Sequence, residues 1–189
     1  MSANFTREVK LKKPRALLPE LFDQVNGLWI DAASGDGVFA EVLLELATPD
    51  TTVACLDLKD RPLQHCKSAI DNHDHRIAAI QADLCSPFPI KGADGIILAN
   101  ALHFFPFDEQ MQILRRCFRT LKKSGKLVIV EYNTNRPTGP VPHPVPLDRI
   151  DHLLLRSGFQ SPRISSVVGS SYLGEMYAVL AETNSSRAT

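Results

Sequence analysis

Two observations predict a doubly wound α/β domain. Apolar runs alternate with amphipathic helical patterns along the chain, and successive runs end in or beside Asp31, Asp57, Asp83 and Asn100. Alternation of this kind builds a parallel sheet with right-handed crossovers and helices on both faces. Ligands in such sheets bind beyond the carboxyl ends of the strands. Polar residues at four strand tips therefore place a candidate site along one edge of the sheet.

The first strand is Leu28 to Ala32. Its acid, Asp31, leads into the small-residue turn Ala33-Ser34-Gly35-Asp36-Gly37, and a helix from Gly37 to Leu46 follows with apolar Val38, Phe39, Val42, Leu43 and Leu46. Glycine in such a turn permits φ > 0 and close approach to a ligand, while the helix start offers unpaired N–H groups and a positive dipole end. Ahead of this unit, Leu17 to Val25 reads as a short leading helix. Thr51 to Leu56 is a second strand ending at Asp57, and Pro62 opens a second helix in its first turn, where the missing N–H costs little. Arg76 to Ala82 is the third strand. Ala93 to Ala99 is the fourth, almost continuously apolar, as suits a strand buried on both faces.

Asp108 to Leu121 is a long amphipathic helix with acids early and bases late, which complements the helix dipole. Ser124-Gly125 is expected to close it before a fifth strand, Lys126 to Tyr132. Asn133 to Pro146 carries Pro137, Pro140, Pro142, Pro144 and Pro146 and reads as a stiff, extended loop. Leu147 to Ser157 is a helix stopped by Gly158. Ser161 to Val168 and Tyr172 to Ala181 form a hairpin through Gly169-Ser170-Ser171.

At 189 residues the chain is expected to hold one core. The division is an N-terminal arm, 1–16, a domain, 17–182, and a frayed tail, 183–189. A net charge of +0 supplies no global field for nucleic acid or an anionic membrane. The one basic cluster, Lys10, Lys12, Lys13 and Arg15, reads as a solvated arm. The first residues lack the apolar core of a signal peptide, and no apolar run approaches the ~20 residues of a membrane span. Cys55, Cys66, Cys85 and Cys117 show no C-x-x-C spacing, which predicts a reduced, cytoplasmic protein without structural zinc. His73 and His75 read as a polar helix end, and no metal is expected.

From about Leu17 to Ala181 the chain resembles a class I S-adenosylmethionine-dependent methyltransferase. The residues that carry the resemblance are Asp31-Ala-Ala-Ser-Gly-Asp-Gly37, similar to the family's acid-x-Gly-x-Gly-x-Gly motif, with Asp57, Ala82-Asp83-Leu84, Asn100-Ala-Leu-His103 and the closing strand pair. The resemblance implies a Rossmann-like, mostly parallel seven-stranded sheet with an antiparallel C-terminal strand. It implies S-adenosyl-L-methionine as cofactor, released as S-adenosyl-L-homocysteine. Ala33, Ser34, Gly35 and Gly37 would line its methionine end, and Asp31 would orient the turn and help hold the ammonium. Asp57 would accept from the ribose hydroxyls, and Leu58 would pack on the adenine. Asp83 would accept from the adenine amine, the Leu84 N–H would meet a ring nitrogen, and Asn100 would close the site beneath the sulfonium. Ala33 departs from the motif by replacing its first glycine, a change that is mild if the position keeps φ < 0.

Methyl transfer is an in-line displacement in which positioning does much of the work. A general base is needed only where the acceptor must lose a proton. His103, on the rim after the fourth strand, is the candidate base. Phe104, Tyr132, Asn133, Arg136 and His143 are candidate contacts to a small-molecule acceptor, methylated on oxygen or nitrogen. Nucleic acid is disfavoured as substrate because Asn-Ala-Leu-His follows the fourth strand and no basic face is present. Two other readings fit part of the chain. Gly35-x-Gly37-x-x-Ala40, with Asp57 about 20 residues on, also matches a dinucleotide fingerprint and an NAD(P)-dependent oxidoreductase. The same fold without catalysis would give a binding protein.

Overall fold

The computed structural model describes residues 3–21, 25–61, 63–64 and 76–184. Its strands are β1 (Leu28–Ala32), β2 (Thr52–Asp57), β3 (Ile77–Gln81), β4 (Ala93–Ala99), β5 (Leu121–Tyr132), β6 (Gln160–Ser170) and β7 (Gly174–Glu182). They form one seven-stranded sheet in the order β3-β2-β1-β4-β5-β7-β6. The first five run parallel, and β7 inserts antiparallel between β5 and β6. This is the doubly wound sheet with an antiparallel C-terminal strand that the sequence predicts. Its order reverses between β1 and β4, and crevices for ligands open at such reversals.

Side chains of period two feed two cores, one on each face. Ile30, Ala32, Ile96, Leu98, Leu127 and Ile129 pack on one face under the helices Phe107–Thr120 and Leu147–Arg156. Trp29, Ile97, Val128 and Val130 pack on the other under the helices Ala3–Leu17 and Val38–Glu45. Trp29 lies opposite Gly95 in the β1–β4 register, and a Cβ on Gly95 would stand 2.4 Å from the indole. The bulky ring thus depends on a bare backbone beside it. No helix among the described residues is long and apolar enough to cross a membrane.

Several local expectations are corrected. Of the expected helix Leu17–Val25, residues 22–24 lie outside the described residues; the described leading helix is Ala3–Leu17, followed by a 3-10 turn at Pro19–Leu21. The N-terminal segment is therefore no solvated arm. Leu11 and Leu17 are buried in the second core, and Arg15 reaches Glu8 at 2.8 Å and Glu45 at 2.7 Å. Pro14 lies inside this helix, near its C-terminal end. The helix announced by Pro62 has helical residues at 60–61 and 63–64, but its remainder, with His65, Cys66, His73 and His75, lies outside the described residues.

The pairing that defines β5 begins at Leu121, with a register shift before Lys126 that absorbs the Ser124-Gly125 turn. The hairpin turn falls at 171–173, later than expected, with Gly174 at φ 74°. Thr183 is not frayed. It is buried, its Oγ1 accepts from the Gly125 N–H at 3.0 Å, and its hydroxyl donates to the Lys122 carbonyl at 2.6 Å. Thr183→Val keeps the shape and strands both partners, so it is expected to cost about 2 kcal/mol. Urea unfolding measures this, and a loss under half of that would show the tail to be dispensable.

Candidate active site

The β1 tip and the turn after it form the base of the site. Asp31 is fully buried, and its Oδ2 accepts the Ala40 N–H at 2.9 Å, fastening the strand to the helix Val38–Glu45. The Ser34 N–H donates to the Leu56 carbonyl at 2.9 Å and the Gly37 N–H to the Ser34 carbonyl at 2.8 Å. Asp57, the last residue of β2, accepts the Gly35 N–H on Oδ2 and the Lys59 N–H on Oδ1, both at 3.0 Å. Two carboxylates thus hold the turn from opposite sides.

The turn is tight because three of its residues are left-handed: Ala33 at φ 62°, Gly35 at φ 50° and Gly37 at φ 76°. The condition that made Ala33 mild is not met. An L-residue pays on the order of 1 kcal/mol there. Asn100 is also left-handed, at φ 52°, a conformation asparagine tolerates better than most residues.

These residues surround a cavity of about 560 Å³. It is lined by Asp31, Ala33, Ser34, Gly35, Asp57, Leu58, Asp83, Leu84, Asn100 and Phe104, together with Val38, Phe39, Lys59, Ala82, Ala99, Ala101 and Phe105. Gly37 does not line it; it caps the helix behind the wall. Asp83 accepts the Cys85 N–H on Oδ1 at 2.8 Å and also hydrogen-bonds the Cys85 side chain. Ser34 Oγ and Asn100 Oδ1 are buried with no hydrogen-bond partner among the described residues. A Cβ on Gly35 would meet nothing within 4 Å, so the glycine leaves open space. Exposed Leu58 and Phe104 add apolar walls. Carboxylates, unpaired polar atoms and flat apolar surface suit a nucleoside bearing an amino acid.

Asp31 stands apart electrostatically. Burial pushes its pKa up to about 7, the charge of Asp57 adds to the rise, and the Ala40 N–H opposes it.

His103 is not on the rim. It is 2% exposed and absent from the cavity lining. Glu131 draws it inward: its Oε2 lies 2.6 Å from His103 Nδ1, and its Oε1 accepts the His103 N–H at 3.3 Å. Nδ1–H faces the carboxylate as donor, and in the neutral ring that tautomer carries its lone pair on Nε2. The ring makes tilted contacts with Phe104, at 4.3 Å between centroids, and with Tyr132, at 6.0 Å, and Tyr132 in turn meets Tyr172 edge-on at 6.0 Å. Glu131 was missed in the sequence. Its signal is a lone acid in the apolar strand run Leu127-Val-Ile-Val-Glu-Tyr132, where a core-facing charge demands a partner.

The remaining acceptor candidates are scattered. Asn133 Oδ1 accepts the Leu147 N–H and its Nδ2 donates to Glu175, so it is committed to the loop. Arg136 is exposed beyond the cavity. His143 lines a separate cleft of about 250 Å³ beneath the Pro-rich loop, with Phe107, Gln110 and Arg149.

A family model described as a methyltransferase domain matches residues 30–129. The chain belongs to that family, which sets aside the dinucleotide reading of the same glycines. Among curated relatives, a 3-amino-4-hydroxybenzoate 4-O-methyltransferase from Streptomyces cremeus is 28% identical over 131 residues, 66% of this chain and 34% of that protein. A demethylmenaquinone methyltransferase from Thermotoga maritima is 30% identical over 133 residues, 68% of this chain and 56% of that protein. The chain thus spans about a third to just over half of these relatives. In structure it is similar to a SAM-dependent methyltransferase from Aquifex aeolicus, with TM-score 0.71, 18% identity and coverage of 93% and 92%. An O-methyltransferase family protein from Burkholderia thailandensis gives TM-score 0.75 at 19% identity, with coverage of 95% and 57%.

The raised pKa of Asp31 has a definite sign. The unfolded chain ionises it near its ordinary value and the folded chain only at about 7, so the folded state loses stability as pH rises between these limits. Asp31→Asn keeps an acceptor for the Ala40 N–H and removes that loss. Its stability advantage over wild type in urea is expected to widen from pH 5 to pH 8; a constant difference would contradict the assignment. At Ala33, replacement by glycine relieves the left-handed strain but loosens the unfolded chain. The balance is expected to favour the variant by about 0.5 kcal/mol in the same assay.

Proposed function

We propose that the chain is an S-adenosylmethionine-dependent methyltransferase that methylates a hydroxyl of a small-molecule acceptor. The cavity that joins the Ala33–Gly37 turn to Asp57 and Asp83 carries the cofactor reading. When bound, the cofactor supplies an electrophilic sulfonium methyl. The remaining lone pairs of Asp57 would take two ribose hydroxyls, and a remaining lone pair of the Asp83 carboxylate would take the adenine amine. Leu58 would cover an adenine face, and the Leu84 N–H would meet a ring nitrogen. Asp31, ionised beside a bound ammonium, with Ser34 and Gly35, would hold the amino-acid end. Asn100 would lie beneath the sulfonium.

The buried pair His103–Glu131 supports oxygen as the acceptor atom. A carboxylate that fixes Nδ1–H leaves Nε2 basic, and an oriented base is useful where a hydroxyl must lose its proton. Phe104 and Tyr132 flank the imidazole and give an aromatic acceptor two faces to pack on. Their side chains must part for the hydroxyl to reach Nε2, and catalytic contacts commonly tighten only in the complex. Two curated relatives are O-methyltransferases by name, one of them for chavicol.

Calorimetry tests the cofactor. S-adenosylhomocysteine is expected to bind, NAD is not, and Asp57→Ala is expected to weaken S-adenosylhomocysteine by tenfold or more, about 1.4 kcal/mol. Failure of wild type to bind it would sink the proposal. Below pH 7 affinity is expected to fall, because Asp31 must release a proton to face the ammonium.

Transfer to phenol or 4-hydroxybenzoate tests the base. His103→Ala is expected to slow turnover by about 10²-fold or more while affinity for S-adenosylhomocysteine is retained. Equal loss of both would reduce His103 to a structural residue.

A further inference from the structure

We infer that the cleft beneath the Pro-rich loop is a second ligand site, built for the carboxylate of a small organic acid. Arg149 carries the inference. It sits in the first turn of the helix Leu147–Arg156, where the helix dipole disfavours a cation. Among the described residues no carboxylate lies within ion-pair distance of it. Its guanidinium is nonetheless held in place. Nη2 donates to the Pro144 carbonyl, and Cζ lies 5.9 Å from the centre of the Phe107 ring. Nε is buried with no hydrogen-bond partner among the described residues. A cation that is partly stripped of water and given no counter-charge is costly, and an anion on its remaining edge, Nη1, offsets that cost.

The surroundings suit a small acid rather than a free ion. The cleft measures about 250 Å³, and Phe107, Pro142, Pro144 and Pro146 give it stiff apolar walls. It is also braced. Gln110 is fully buried, and its Nε2 faces the carbonyls of Leu102, Phe105 and His143 at 3.2, 2.8 and 3.0 Å. The His143 N–H donates to the His103 carbonyl at 2.9 Å. A preformed cleft with a fixed guanidinium loses little entropy on binding. The His103 segment forms part of this brace, so the carboxylate has two possible sources: the methyl acceptor itself, or a separate acid that sets the loop. Only the choice between these sources rests on the methyltransferase reading.

Benzoate is the probe. Titrated into the full chain by calorimetry or NMR, it is expected to bind wild type at millimolar concentration or below. Arg149→Gln is expected to weaken it by about tenfold and Arg149→Lys by less, since lysine keeps the charge but not the planar fork. Retained binding of S-adenosylhomocysteine shows each variant to be folded, and it separates failure here from failure of the cofactor reading. No benzoate binding by wild type, or equal binding by folded Arg149→Gln, overturns the site. Kinetics then name the source. If the carboxylate is the acceptor's, benzoate competes with 4-hydroxybenzoate, and Arg149→Gln lowers the preference for 4-hydroxybenzoate over phenol about tenfold. If it belongs to a separate acid, benzoate binds through Arg149 without competing.

Discussion

The clasp of two carboxylates on one turn is the constraint on which the rest of this site depends. Asp31 reaches forward from β1 to the Ala40 N–H, and Asp57 reaches across from β2 to the Gly35 N–H. Between them the backbone runs left-handed at Ala33, Gly35 and Gly37. A turn this tight brings the strand tip and the helix start close enough to leave a concave floor. The sheet reversal between β1 and β4 then supplies the opposite wall through Asn100 and Phe104. The energetic expense is concentrated in the same place: a buried carboxylate, a strained alanine and two buried polar atoms without partners. Strain and unpaired polarity at one locus are what a site built to receive a ligand shows, because the ligand completes what the fold leaves undone.

A second polar centre lies on the other side of the β4 tip. His103 and Glu131 are both buried, and each satisfies the other. Glu131 stands on β5 and His103 on the short 3-10 turn after β4, so the pair joins neighbouring strand ends. Gln110 extends this frame by facing carbonyls of both the His103 segment and the Pro-rich loop. The histidine is therefore oriented by a framework that also shapes the second cleft. The His103 segment and the Pro-rich loop are tied together by the Gln110 amide and by the His143 N–H to His103 carbonyl bond.

The sequence was read well where the signal was local and periodic. β4 was bounded at both ends, and the acids at the tips of β1, β2 and β3 all reached one cavity. It was misread where tertiary contact overrode local preference. The basic cluster Lys10, Lys12, Lys13 and Arg15 suggested a solvated arm, yet Leu11 and Leu17 dock that helix on the sheet. Thr183 sits in a polar tail, yet two hydrogen bonds to the Lys122–Gly125 turn bury it. Neither outcome is visible from the segment alone, because each depends on a partner remote in the chain.

By itself the sequence determined the alternation of strands and helices, hence the doubly wound sheet, and which edge of it would bear the polar residues. Period and punctuation are properties of neighbouring residues, and they survive without knowledge of the fold. Only the tertiary structure decided the sign of φ at Ala33, the burial of His103, its partnership with Glu131 and, among the described residues, the lack of a carboxylate within ion-pair distance of Arg149. Those facts depend on distances between residues 28 apart or more, or on a backbone angle that the surrounding hydrogen bonds impose. The motif marked where the pocket is; the packing set the electrostatics that govern what it can do.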